Sequence, residues 1–338
     1  MKKLLPLVLI TTALLQACGS SNSKSTSVNP TTTTPTTVAE VHHIQPQDIP
    51  EYIETFKQQQ AQLQLQFDGQ QSAISFIDMS MENKFILAKY SAGVVRIGFD
   101  LEEEKPVSEL IFMEGDASDP ENFEATRILQ GTAIEVTEDD DNYIYTGSAV
   151  DTQTQNSYPV RLVFNESLIS GGASTLVVEG EQATISGTLG TQTYIDMQEM
   201  LNGQTITTLV FDSVDGSVND AINMHTGRLI RQAGLTTLMP ADGEAYSGGV
   251  DLFAAGVERK YQTGGKLGVH SWCCSAGKPA NELGEDHEAH GAQLTYFREM
   301  MGAEKGPKFY FFTINAAPFD GVHIMSEAEL SQYALVTD

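Results

Sequence analysis

Basic residues are scarce in this 338-residue sequence: 19 Lys and Arg stand against 45 Asp and Glu, a net charge of −26 with a pI near 4.4. A surface of that sign repels phosphate backbones and anionic headgroups, which excludes nucleic acid as a partner. Cysteine is scarcer still: three residues, two of them adjacent, cannot build a disulfide scaffold, so stability must come from burial. Proline is limited to 12 residues while 41% of the chain is hydrophobic, which excludes disorder as the main state. No apolar run, the stretch near the start included, is long enough to span a bilayer as a helix. The length suits about two domains.

What is present begins with an address. Lys2 and Lys3 precede the apolar stretch Leu4 to Leu15, the pattern of an export leader over residues 1–18. Leu15-Gln16-Ala17-Cys18 resembles the bacterial lipobox, which implies lipidation of Cys18 and a membrane anchor. Gly19 stands where lipoproteins retained at the inner membrane carry Asp, so the resemblance implies an outer-membrane lipoprotein facing the periplasm or the surface. Residues 19–44, rich in Ser, Thr and Pro, read as a disordered tether, with His42 and His43 as its solvated end.

The remainder predicts an α+β chain of two domains. In the first, residues 45–178, Ile49, Tyr52, Ile53 and Phe56 fall at helical spacing. Short runs rich in Val, Ile, Phe, Tyr and Thr then follow at 84–90, 93–99, 132–136, 143–150 and 160–164, separated by Gly, Asp, Asn and Ser. That is the grammar of a mostly antiparallel β domain, and Tyr145–Ala149, Val160–Phe164 and Ile169–Gly172 are similar to barrel hairpins of transferrin-binding-type surface lipoproteins in architecture only. Residues 101–150 hold 14 acids against Lys105 and Arg127, which reads as a solvated face. In the second domain, residues 179–338, strands and helices alternate, which implies a parallel sheet. Strands are predicted at 183–188, 207–213, 235–239, 266–270 and 309–314, and helices at 193–201, 218–232, 248–255, 286–301 and 326–333.

Four segments of this second half carry a further resemblance. They are Ser213–Val218; Ala245–Gly249 with Phe253–Arg259 downstream; Gly268-Val269-His270; and Met325–Leu330. In this order they resemble the Clp protease proteolytic subunit and the exported, predicted periplasmic branch of the same crotonase-like superfamily. The resemblance implies a serine peptidase or related hydrolase, with Ser247 as nucleophile, His270 as base and backbone amides of Gly216 and Gly248 as an oxyanion hole. Asp215 replaces the first Gly of the family's Gly-Gly pair, and Val322 occupies the position of the family's acid, with Asp320 two residues earlier. Asp320 is therefore the expected third member, the alternatives being a backbone carbonyl or a dyad.

The chemistry asks for the same residue types. A serine hydroxyl becomes a nucleophile when an imidazole takes its proton and an acceptor orients that imidazole. Trp272 and Tyr246 are expected to border the cleft. Cys273 and Cys274 read as buried thiols or a redox-labile vicinal bond, and Asp286–His290 as a capped, solvated helix start without the spacing of a metal motif. No cofactor and no metal are expected. The expected partners are a peptide or protein substrate, a membrane through the anchor, and further copies of the chain. The competing reading is a non-catalytic envelope lipoprotein that uses a degenerate Clp-like domain for binding or assembly; acyl-CoA chemistry is set aside because CoA is cytosolic.

Overall fold

Pro46 and Pro50 sit in the first turns of the opening helical segments: proline there costs no helical hydrogen bond, and α1 (Ile49–Gln60) follows. The computed structural model describes residues 40–117 and 123–337; the leader, Cys18 and nearly all of the tether lie outside them. Among the described residues no helix is long and apolar enough to cross a membrane.

Nine strands come next: β1 (Gln64–Phe67), β2 (Gln70–Ser72), β3 (Ser75–Ser80), β4 (Phe85–Tyr90), β5 (Gly93–Asp100), β6 (Lys105–Glu114), β7 (Arg127–Asp139), β8 (Asn142–Asp151) and β9 (Ser157–Phe164). They form one antiparallel sheet in the order β2-β1-β9-β8-β7-β6-β5-β4-β3, a meander of hairpins whose ninth strand returns to pair with the first. Alternation sets its faces. Ile86, Ala88 and Tyr90 on β4, Val95, Ile97 and Phe99 on β5, and Leu162 and Phe164 on β9 point into a shared core. The acidic runs Glu102–Glu104 and Asp139–Asp141 fall at the β5–β6 and β7–β8 turns and are exposed, as a solvated face requires.

After the single-turn α2 (Ser167–Ser170), a hairpin of β10 (Ala173–Glu179) and β11 (Gln182–Leu189) leads into the second half. Here α3 (Thr191–Gly203), β12 (Thr208–Phe211), β13 (Ser213–Val214), β14 (Gly216–Ser217), α4 (Asp220–Gln232), β15 (Thr236–Met239), β16 (Glu244–Tyr246), α5 (Gly248–Ala254), β17 (Glu258–Tyr261) and β18 (Lys266–Val269) alternate. The helices carry the chain between parallel strands, giving the sheet β10-β11-β12-β15-β17 and a smaller one, β13-β16-β18, to which β19 (His323–Ile324) adds antiparallel. Between β18 and β19 run α6 (Gly291–Met301) and α7 (Lys305–Ala316), and α8 (Glu327–Gln332) follows. A second core, with Phe211, Phe253, Tyr296 and Phe309, fills the space between these sheets and helices.

Residues from Glu40 onward form one unit, and α1 helps to join its two cores. The Asn219 side chain at the start of α4 donates to the Tyr52 hydroxyl at 2.7 Å and to Thr191 Oγ1 at 3.1 Å. His42 and His43 separate: His43 is exposed, whereas His42 stacks on His225 with 6.0 Å between ring centroids, so the chain is already packed before residue 44.

One expected strand is a helix. Phe309-Tyr310-Phe311-Phe312-Thr313-Ile314 has the composition of a strand, yet it forms the body of α7. The residues it buries, Gly306, Phe309, Tyr310, Thr313 and Ile314, follow a spacing of three and four, and that stripe faces the second core. Packing has overridden the weak β preference of aromatic side chains. The expected helix at 286–301 begins only at Gly291, and His290 before it is fully buried against Tyr310, not solvated.

The sequence after α8 is held by Arg259. Its guanidinium, 7% exposed, donates to the carbonyls of Leu335 at 2.7 Å, Gly256 at 3.0 Å and Ala334 at 3.2 Å, while its backbone amide donates to Thr337 Oγ1. No carboxylate joins it among the described residues, and burial lowers its pKa to about 10, with the charge of Arg231 adding to the shift.

Candidate active site

Ser247 lies between β16 and α5, where the chain leaves a sheet and enters a helix. Both ends of its peptide are tied: its amide donates to Gly268 O on β18 at 2.9 Å, and its carbonyl accepts from Val250 N at 2.8 Å and Asp251 N at 3.3 Å. These ties hold it at φ 49°, ψ −119°, a left-handed φ that costs a non-glycine residue about 1–3 kcal/mol. Such a conformation persists only where the surroundings over-determine it. Gly248 makes the turn possible, since a Cβ there would stand 2.5 Å from Ser217 Cβ and 2.9 Å from Asn223 Nδ2. Asn223 in turn donates to Gly248 O at 2.9 Å. Gly216, at φ 124°, brings its backbone to the other side of Ser247, where an added Cβ would sit 3.3 Å from Ser247 Cβ.

His270 follows β18, the strand paired to β16, so the register that aligns Tyr246 with Gly268 brings Ser247 and His270 to the same end of the paired strands. Its Nδ1 lies 2.8 Å from Ser271 O. A carbonyl only accepts, so Nδ1 carries a proton and donates it to Ser271 O, which leaves Nε2 as the ring nitrogen free to face the cavity. Ser271 is fully buried and fixed by bonds from its amide to Ala317 O and from Asn281 N to its hydroxyl.

Ser247 and His270 line one cavity of about 40 Å³ with Asp220, Asp251, Trp272, Gln293, Phe297, Tyr310, Thr313 and Ile314 among its walls. That volume holds only a few water molecules. Trp272 is on the wall, as expected. Tyr246 is not: its ring packs over Gly268 and its hydroxyl donates to Glu244 at 2.9 Å. Asp320 is exposed, in the segment before β19, and is off the wall. Asp215 is off the wall too and accepts from Thr188 Oγ1, so its carboxylate is spent on the sheet side of the turn.

Two carboxyls on the wall were not singled out by sequence. Asp220, the first residue of α4, and Asp251, in the first turn of α5, sit where acids are common for dipole reasons, which hid them. Burial raises the Asp220 carboxyl, opposed by a bond from the Ser217 hydroxyl and by the nearby charge of His270. Burial drives Asp251 well above the usual carboxylate range, and the charge of Asp220 adds to this. Two carboxyls facing one small cavity disfavour each other's charge, and Asp220 is the one of the two with a charge interaction with His270. Gln293 Oε1, also at this wall, is buried without a hydrogen-bond partner. Among the described residues no cluster of His, Cys, Asp or Glu has the makings of a metal site.

No family model matches this chain, and no curated protein matches it. Its similarity to solved structures includes an enoyl-CoA hydratase from Bacillus anthracis, at 13% identity and a TM-score of 0.32 over 48% of this chain and 68% of that one. It also includes a structure of the same type from Geobacillus kaustophilus, at 10% identity and a TM-score of 0.31 over 60% of this chain and 69% of that one. Neighbours of the crotonase type thus cover about half of the chain, and at these scores they assign neither an activity nor a substrate.

Proposed function

We propose that the protein is an exported serine hydrolase acting on acyl or peptide bonds, anchored by lipid at Cys18, with Ser247 as nucleophile and His270 as base. The observation that carries this reading is the single cavity wall holding a serine at an over-determined strand-to-helix turn and an imidazole whose Nδ1 proton is committed to Ser271 O. His270 Nε2 takes the Ser247 hydroxyl proton as Oγ attacks the carbonyl carbon. The oxyanion is stabilised by backbone amides of Gly216 and Gly248, each such donor being worth about 100- to 1000-fold in rate. The imidazolium is held by the Ser271 carbonyl and by the charge of Asp220. It then returns the proton to the leaving group, and water repeats the cycle on the acyl-serine. Gln293 Oε1 offers an acceptor to a substrate N–H, which favours amide over ester substrates.

A fluorophosphonate probe tests the reading. The wild type is expected to be labelled at Ser247, and Ser247→Ala and His270→Ala to lose the label. A wild type that stays unlabelled under all conditions rejects the hydrolase and leaves a binding or assembly role for the same cavity. The anchor is tested separately, by an alkyne fatty acid that marks the wild type and misses Cys18→Ser.

A further inference from the structure

Cys273 and Cys274 are joined to each other by a disulfide, and both are exposed. A bond between sequence neighbours closes the smallest ring a peptide disulfide can form. It removes almost no conformational freedom from the unfolded chain, so it adds little stability of the kind that long-loop disulfides give. Its position is the informative property. Trp272 lies immediately before it, on the cavity wall, anchored by its indole N–H to Tyr310 Oη at 2.9 Å and by its carbonyl to Ala280 N at 2.9 Å. Ser275 lies immediately after, tied to Lys278 by reciprocal backbone bonds of 2.9 and 3.0 Å. Between these anchors neither cysteine makes a hydrogen bond, so the two residues are held by their flanks and by the disulfide that joins them to each other. The same loop contains Ser271, whose carbonyl orients His270.

We infer that Cys273 and Cys274 are a reversible thiol–disulfide exchange site on the rim of the Ser247 cavity, opened by a dithiol reductant, and that opening it releases Trp272 from the cavity wall. A thiolate of the dithiol attacks one cysteine sulfur and expels the other as thiolate, forming a mixed disulfide; the second thiol of the reductant then displaces the attached cysteine. Two hydrogens pass to the cysteines, and the reductant leaves as its own disulfide. Exposed disulfides are the ones that exchange, and both cysteines of this one are exposed. The link to function is position: the disulfide directly follows Trp272, which lines the small cavity that also holds Ser247 and His270. The effect on catalysis rests on the hydrolase reading; the exchange and the movement of Trp272 do not.

The chain holds a single tryptophan, so its emission reports on residue 272 alone. Purified protein is treated with iodoacetamide before and after excess dithiothreitol, and tryptophan emission and fluorophosphonate labelling are recorded in both states. Alkylation at both cysteines only after dithiothreitol, with a changed and red-shifted emission absent from Cys273→Ser/Cys274→Ser, supports the site. Alkylation without reductant, a disulfide that persists in excess dithiothreitol, or an emission that stays constant on reduction each overturns it. The wild-type comparison stands even if the double variant fails to fold. A several-fold change in labelling rate on reduction extends the effect to catalysis. No labelling in either state, with the emission change intact, removes the hydrolase reading and leaves the exchange site standing.

Discussion

Asp220 faces His270 from the start of α4, while Asp320 is exposed outside the cavity, and this contrast defines a test. Asp220→Asn is expected to slow fluorophosphonate labelling about tenfold or more, roughly 1.4 kcal/mol of transition-state stabilisation, because the imidazolium loses a compensating charge. Asp320→Asn is expected to leave the rate unchanged. Equal losses in both variants reject this assignment. The placement of Ser247 at a strand-to-helix turn and of His270 at a strand end was legible because their flanking residues carry a motif that survives in one dimension. Asp220 and Asp251 were not, since each stands 19 or more residues from His270 and only the parallel pairing of β13, β16 and β18 gathers the helices that bear them. A second residue-scale expectation concerns His225, buried on α4 with Nε2 at 2.8 Å from Ile44 O. Burial lowers its pKa to about 4, despite the opposing bond to Ile44. The unfolded chain, with a histidine pKa of about 6.5, therefore binds the proton first as the pH falls. The His225 contribution to stability is intact above that value, declines between about pH 6.5 and 4, and levels off below, by at most about 3 kcal/mol. Urea titrations of wild type and His225→Gln across that interval should diverge in slope; parallel curves refute the expectation.

At the scale of elements, α7 shows where pattern reading fails. Its six-residue aromatic and β-branched run matches a strand locally, and only the wider spacing from Gly306 to Ile314 reveals the helical stripe. The hairpins of the first sheet were legible for the opposite reason: each strand alternates against one core and each turn carries Gly, Asp or Asn, so local and global signals agree. The consequence for α7 is measurable. Phe309 is fully buried in the second core, and Phe309→Ala is expected to cost about 3–5 kcal/mol, against much less for the half-buried Phe311→Ala two positions on. Similar costs at 309 and 311 contradict the helical face. Since Tyr310, Thr313 and Ile314 line the cavity from this helix, the same substitution should also weaken labelling of Ser247.

Across the whole molecule the dominant quantity is the charge of −26. The ion pairs seen, such as Lys84–Asp100 and Lys105–Glu103, use few of the 45 acids, and the excess repels itself in the folded state. Salt screens that repulsion within about 10 Å at 0.1 M. The melting temperature is therefore expected to rise by several degrees between low salt and half-molar NaCl, and a flat or falling profile counts against this account. Sequence foresaw the charge and the two kinds of sheet. It did not foresee how α1 ties them, because the bond from Asn219 to Tyr52 spans 167 positions.

Arg259 gives the fold a direction in time. Its guanidinium is enclosed by β17 and the helices around it, but two of its three carbonyl acceptors belong to Ala334 and Leu335. During synthesis the cation is in place some seventy-five residues before those acceptors emerge. A nascent chain halted short of residue 334 must either leave Arg259 in water, with β17 undocked, or bury it with most of its partners missing. A chain that lacks residues 334 and 335 is thus expected to be less stable in its second half, since only the Gly256 carbonyl remains for the buried guanidinium.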